Sequence, residues 1–216
     1  MDSQTTPEQV SQRLKNQFTP AYLTLTSIIQ GVALSALVIR VESNYPQFTA
    51  TDWLLSIATF VVILAVWNEY VMMVSAFVWV PTLLDSVVPF AYLASELFVT
   101  HFAYHDLRLW LLTIALLFLV GGASQIVTTL QSRRFAAENR DIRRILAPAA
   151  RIRTVYLLTF IVLSLGAWAL YDVAQLAHAQ ALVAGLALLG ILVFLGSAVP
   201  YWNRVLLYAQ GTPRKP

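Results

Sequence analysis

Long apolar runs follow one another along almost the whole chain, and this feature limits its fold more than any other. A run of about twenty such residues can cross the ~30 Å hydrocarbon core of a bilayer as a helix. Of the 216 residues, 58% are hydrophobic and 12% are charged, whereas about 25% of the residues in a soluble domain are charged. The sequence therefore predicts an all-α, polytopic membrane protein.

Six runs fit this description, and together they predict one six-helix transmembrane domain over residues 19–204. Residues 1–18 and 205–216 are predicted as tails, and residues 132–153 as a basic connection. The second run would be about 42 Å long as a helix at ~1.5 Å per residue, which is longer than the ~30 Å hydrocarbon core. This helix is therefore tilted, projects into the cytoplasm or ends early. The predicted spans are 20–39, 53–80, 82–100, 109–130, 154–171 and 181–200.

The basic residues predict the orientation of these spans. Among the 14 Lys and Arg residues, all except Arg40 and Arg108 fall in segments that share one side of the membrane if the span number is even. Positively charged segments stay in the cytoplasm. We therefore expect both termini and the basic connection to be cytoplasmic, and the protein to lie in a membrane such as the bacterial inner (plasma) membrane.

Several functional classes are disfavoured by what the sequence lacks. It has no Cys, which excludes disulfides and thiolate chemistry. Motifs of hydrolases, nucleotide-binding proteins and zinc proteases are missing, so neither an enzyme nor a cofactor is predicted. The basic residues flank spans and form no separate domain, which argues against nucleic acid as a partner. His101 and His105, with Asp106, Asp172 and His178 on the same predicted side, could hold a metal, but an interfacial polar belt explains them and no metal site is predicted.

Polar residues inside the predicted spans are candidates for function, because an ionisable side chain at mid-bilayer costs about 2.5–3.5 kcal/mol. Asn68, Glu69 and Glu96 are the main candidates. Three interpretations of Glu69 stay open: the helix has already left the bilayer there, a structural partner binds the carboxylate, or the residue handles ions or protons. Asp85 is expected to cap the third helix, where a carboxylate suits the helix dipole.

The first span carries small residues at four-residue spacing. Ser27, Gly31 and Ser35 therefore share one helix face, with Gln30 beside them. Small residues allow close helix packing, and hydroxyl and amide groups can also line a wet path. Close packing and pore lining both remain open.

The basic connection is rich in arginine. Anionic lipid headgroups attract such residues by about 1 kcal/mol per cation near the surface. A role in setting topology alone is the alternative. The candidates for binding lipid or a partner protein are Arg133, Arg134, Arg140, Arg143 and Arg144.

Three short patterns carry a resemblance to a known family. They are Gln30-Gly31-Val32, Trp67-Asn68 with Met72, and Leu83-Leu84 with Pro89-Phe90. In this order they resemble the lysosomal and bacterial potassium-channel family whose first helix bears a Phe-Ser-Asp-Gly type motif. Aligned on Gly31, the Phe, Ser and Asp positions hold Ile28, Ile29 and Gln30, and the position that constricts the family's pore falls near Ser35. The resemblance implies a homo-oligomeric cation channel whose first helices surround the pore.

Our functional prediction is a homo-oligomeric channel that conducts a monovalent cation, potassium first, along a path lined by the first helix. The alternative is a non-conducting scaffold or sensor subunit whose arginine-rich segment binds a partner or anionic lipid. An enzyme that acts on a lipid is a third possibility.

Overall fold

The regular structure of the described residues is helical, as the sequence predicts. A computed structural model describes residues 7–78, 82–104, 106–174 and 176–210. Short 3-10 turns at Tyr45–Gln47 and Leu176–His178 lie between helices. The α-helices are α1 (Pro7–Asn44), α2 (Ala50–Ala76), α3 (Leu83–Phe102), α4 (Leu107–Arg134), α5 (Arg140–Ala169) and α6 (Gln180–Ala209).

Five of these helices are long and apolar enough to cross a membrane, which indicates an integral membrane protein. Within the described residues α3 is not one of the five; it is a helix of 20 residues that carries Asp85 and Glu96. The five candidate spans are Thr19–Gln47, Ala50–Ala76, Leu107–Arg134, Arg140–Ala169 and Gln180–Ala209.

The helices pack as a closed ring. α1 packs against α2 and α3, α2 against α6, α6 against α5, α5 against α4, and α4 against α3. Neighbours in the ring can therefore be far apart in sequence, as α2 and α6 are. A ring of this kind has a centre that side chains either fill or leave open.

The segments predicted as tails and as the basic connection are partly helical in the structure, and the C-terminal one is helical as far as Ala209. α4 continues to Arg134 and α5 begins at Arg140, so only residues 135–139 of the basic connection lie outside helices. α1 begins at Pro7, which makes most of the predicted N-terminal tail helical; residues 1–6 and 211–216 lie outside the described part of the chain. Arg and Ala are strong helix formers, and a helix can project beyond the bilayer. The arginines therefore stand on helix ends and are spaced by helical geometry.

The second helix ends at Ala76, before the end of its apolar run, which is one of the three alternatives predicted for it. The segment after Ala76 is extended and is held by Asn139, a buried residue of the α4–α5 connection. Val78 N donates to Asn139 Oδ1 at 2.8 Å, and Asn139 Nδ2 donates to Val78 O at 2.7 Å. These two bonds satisfy the backbone where the helix stops, because buried backbone groups need partners.

A capping box fixes the start of α3, as expected for Asp85. The backbone N and the Oγ1 of Thr82 both donate to Asp85 Oδ2, at 2.6 and 2.7 Å. Gln131 Nε2 of α4 donates to Thr82 Oγ1 at 2.9 Å and so ties this cap to a neighbouring helix.

Large side chains fill the centre of the ring at the end where α2 and α4 begin, which we call the packed end and define by Leu55, Thr59, Trp110 and Ile114. All four are at most 1% exposed. Trp110 Nε1 donates to Thr59 Oγ1 at 3.0 Å, and Thr59 Oγ1 donates to Leu55 O at 2.8 Å. Apolar packing with satisfied polar groups therefore closes this end.

The contact between α5 and α6 generates a stability prediction at Gly190. A Cβ on Gly190 would lie 2.5 Å from Cζ of Phe160, and Phe160 is itself stacked on Phe118 with ring centroids 4.8 Å apart. We expect Gly190→Ala to lower the free energy of unfolding by about 1–3 kcal/mol through overpacking, seen as a lower melting temperature in detergent. Gly196→Ala on the same helix is the control, because nothing lies within 4 Å of its Cβ. Equal melting temperatures for the two variants would contradict this packing.

Candidate functional site

A cavity of about 920 Å³ lies inside the ring, beyond the packed end. The second halves of α2 and α4 and the first half of α5 supply most of its wall, and much of its surface is apolar. It opens where exposed residues line it, and we call this the open end. These exposed residues are Thr129, Ala136, Ala137, Arg140, Arg144 and Ala147.

Small residues explain why the ring is hollow here. Gly121 and Ser124 of α4 and Ala149 and Ala150 of the neighbouring α5 line the cavity. Where the packed end has Trp, Leu and Ile, these positions leave volume unfilled. A Cβ on Gly121 would meet Leu157 Cδ2 and Tyr92 Oη at 3.3 Å, so the glycine also allows close approach.

An ion pair between Arg153 of α5 and Glu69 of α2 lies on the cavity wall. The Arg153 side chain is 5% exposed and that of Glu69 is 24% exposed. Arg153 Nη2 also lies 3.9 Å from Met72 Sδ. Removing a charge from water costs several kcal/mol, so each charge needs the other. Of the three interpretations of Glu69, the geometry matches the structural partner.

Three further arginines line the cavity near its open end. Arg140 and Arg144 are exposed, and Arg143 is half-buried. Among the residues that the structure describes, none of the three is in an ion pair; the neighbouring Asp141 accepts a 2.8 Å hydrogen bond from Tyr208 instead. Their charges are therefore free to attract an anion. Arg133 and Arg134 are exposed and lie outside the cavity.

A buried hydroxyl also faces the cavity. Tyr70 is 6% exposed, and its hydroxyl has no hydrogen-bond partner among the described residues. Its ring packs edge-on against Tyr22 and Tyr92, with centroids 5.9 and 5.3 Å away. A buried polar group without a partner costs about 1–3 kcal/mol, so this hydroxyl is available to an occupant.

The candidate residues of the first helix divide between two faces. Gln30 points into the bundle, where its Nε2 donates to Glu96 Oε1 and Oε2 at 3.1 and 3.3 Å, and both residues are buried. Ser27, Gly31 and Ser35 are exposed. Successive helix residues are rotated by about 100°, which separates Gln30 from the stripe. The intramembrane candidates also divide, because Glu69 lines the cavity while the half-buried Asn68 does not.

Two of the residues considered for a metal, Asp106 and Asp172, have other partners. Asp106 Oδ1 accepts from Leu109 N at 2.8 Å and caps α4, and Asp172 pairs with Arg108 at 2.9 Å. His105 lies outside the described residues. Within the described part of the chain, no group of three His, Asp or Glu side chains could hold a metal ion.

The sequence interpretation missed Arg153 as a site residue, because it placed this arginine in a connection. In the structure Arg153 lies thirteen positions after the start of α5, which is about 20 Å along the helix at 1.5 Å per residue. The helix-forming residues from Arg140 onward were the available signal. A longer predicted helix would have made Arg153 a charge inside the bundle, which is a functional candidate by default.

Comparisons with known proteins assign no family to this arrangement. No family model matches the chain, and no match was found among curated proteins or solved structures. The resemblance to the potassium-channel family stays a prediction. The chemistry of the cavity is then the basis for proposing a function.

The ion pair predicts strongly non-additive mutations. Glu69→Leu leaves the Arg153 charge buried without an anion, and we expect it to destabilise the protein by about 3–5 kcal/mol. The double variant Glu69→Leu/Arg153→Met removes both charges and should be more stable than Glu69→Leu alone. Unfolding in detergent measures all four members of the cycle, and additive effects would contradict a direct pair.

Proposed function

We propose that this protein is a membrane-embedded receptor or sensor that binds an anionic amphiphile in its cavity. The observation that carries the proposal is the combination of Arg140, Arg143 and Arg144, which form no ion pair with the residues that the structure describes, with a largely apolar interior. The guanidinium group binds phosphate or carboxylate through paired hydrogen bonds. An apolar chain would then occupy the space behind the arginines.

The size of the cavity suits such a ligand. Small-molecule sites are usually about 300–1,000 Å³ and are lined by apolar groups with a few polar anchors; this one has about 920 Å³. The polar groups inside it include the Tyr70 hydroxyl and the Arg153–Glu69 pair, together with the side chains of Asp85, Ser124 and Thr128.

The proposed topology has six spans with both termini in the cytoplasm. α3 packs between α1 and α4 and is buried at Glu96, which supports its assignment as the sixth span. The positive-inside rule places the arginine-bearing helix ends in the cytoplasm. The open end of the cavity would then face the cytoplasm, and we propose the bacterial inner membrane as the location.

Neutralising the cavity arginines tests this proposal. We expect Arg140→Gln/Arg143→Gln/Arg144→Gln to weaken the binding of a short-chain lysophosphatidate at least about tenfold, because each cation contributes ~1 kcal/mol. Native mass spectrometry of the protein in neutral detergent gives the affinity. Lysophosphatidylcholine is the control ligand, since it carries no net charge.

A matched triple variant separates site chemistry from overall charge. Arg134→Gln/Arg151→Gln/Arg204→Gln removes the same charge from exposed residues that do not line the cavity, and binding should stay within about twofold, since exposed charges are screened by salt. Equal losses in both triple variants, or equal binding of the two lipids, would overturn the proposal.

A second proposal, the homo-oligomeric cation channel, is favoured by the exposure of the first-helix stripe. Ser27, Gly31 and Ser35 face outward from the ring and are available to other copies of the chain. Several copies could bring these faces together around an axis, as the family resemblance implies. Gln30 would not line that axis, because it is bonded to Glu96 inside the subunit.

Flux through liposomes tests the channel. We expect Ser35→Leu to change a potassium flux at least about fivefold if the stripe lines the path, because an apolar constriction resists hydration. Leu158→Ile, at an exposed position on α5, is the control and should leave the flux unchanged. Absence of flux from the unmodified protein would rule this proposal out.

A further inference from the structure

A groove of about 400 Å³ lies on the outer surface of the ring, between α4 and α5. Most of its surface is apolar, and Ile126, Leu130 and Leu158 in its walls are each more than half exposed. Arg133 stands at the arginine-bearing end of the groove. We call this space the lateral groove.

The lateral groove adjoins the cavity. Gln125, Thr129 and Leu157 line both spaces, so the wall between them is one layer of side chains thick. Gln125 Nε2 closes this wall by donating to Ala150 O at 2.9 Å and to Thr154 Oγ1 at 3.1 Å. These two bonds join α4 to α5 between the groove and the cavity.

The chemistry of the groove matches one kind of occupant. An apolar furrow on the lipid-facing surface suits an aliphatic chain, and an exposed arginine at its end suits an anionic headgroup near the membrane surface. The arginines of the open end of the cavity lie at the same end, so the headgroup would stay among cations on both sides of the wall.

We propose that the lateral groove is the entrance through which a phosphate-bearing membrane lipid passes from the bilayer into the cavity. The Gln125 side chain closes this entrance through its two hydrogen bonds to α5. The acyl chain first occupies the groove with its headgroup at Arg133. When the Gln125 side chain leaves Ala150 and Thr154, the chain passes between α4 and α5 into the cavity. This inference rests on the proposed function, because it names the ligand class and its route.

Photolabelling in nanodiscs tests the route. The probe is phosphatidylglycerol with a diazirine on one acyl chain, at a low fraction in phosphatidylcholine. Peptide mapping after irradiation should find label on the groove residues and on the cavity residues Gly121 and Ser124. Gln125→Ala should increase cavity labelling about threefold, because two hydrogen bonds that hold the wall are lost.

Blocking the groove provides the decisive variant. Gly122 lines the groove with nothing within 4 Å of its Cβ, so Gly122→Leu fills the space without a clash at that atom. We expect it to reduce cavity labelling about tenfold, equivalent to 1.4 kcal/mol. Gly196→Leu is the matched control, a helical glycine with equal space that lines neither the cavity nor the groove, and it should leave labelling unchanged.

The outcomes separate this inference from the proposed function. Short-chain lysophosphatidate reaches the cavity through the open end, so its binding should survive Gly122→Leu. If it binds but lipid labelling of the cavity is absent or unaffected by Gly122→Leu, the lateral entrance is wrong and the proposed function stands. If short-chain lysophosphatidate does not bind, both the proposed function and the lateral entrance are wrong. Labelling that maps instead to a contact between two copies of the chain would overturn the inference.

Discussion

The ion pair of Arg153 and Glu69 joins two helices that are not neighbours in the ring, and the hollow half of the bundle is built around it. Neither charge can be left in the interior without the other, because the cost of desolvation is several kcal/mol per ion. The two side chains meet on the cavity wall and come from helices that are separated in the ring by α6. The pair therefore links α2 to α5 beside the cavity, whose volume is left unfilled by the small residues of α4 and α5.

The difference between the packed end and the cavity can be followed along a single helix, α4. The first half of α4 supplies Trp110 and Ile114 to the packed end, and its second half supplies Gly121 and Ser124 to the cavity. The Gln125 side chain then stands where α4 turns from cavity wall to lipid-facing surface. One helix therefore determines where the interior is solid, where it is empty and where it can communicate with the bilayer.

Local features of the chain could be predicted well. The helices follow from apolar run length, and the cap at Asp85 follows from its position after a proline, since both depend on residues close in sequence. The ring order could not be predicted, because the contact of α2 with α6 and the bond of Gln30 to Glu96 join distant segments. The basic connection was predicted as a loop because charge was taken to mark the end of a span, although Arg and Ala favour helix. Because of that error, Arg153 was not recognised as a residue of the bundle interior, and the cavity was not predicted.

The indole of Trp110, bonded to Thr59 in the middle of the ring, closes the interior of the bundle at its packed end. A molecule that enters the cavity, by the open end or by the lateral groove, meets large side chains at the packed end and cannot continue past them. The geometry of a single ring thus favours a molecule that binds in the cavity over one that passes through the bundle. A path across the membrane would therefore run outside the individual bundle, as in the proposed channel between copies of the chain.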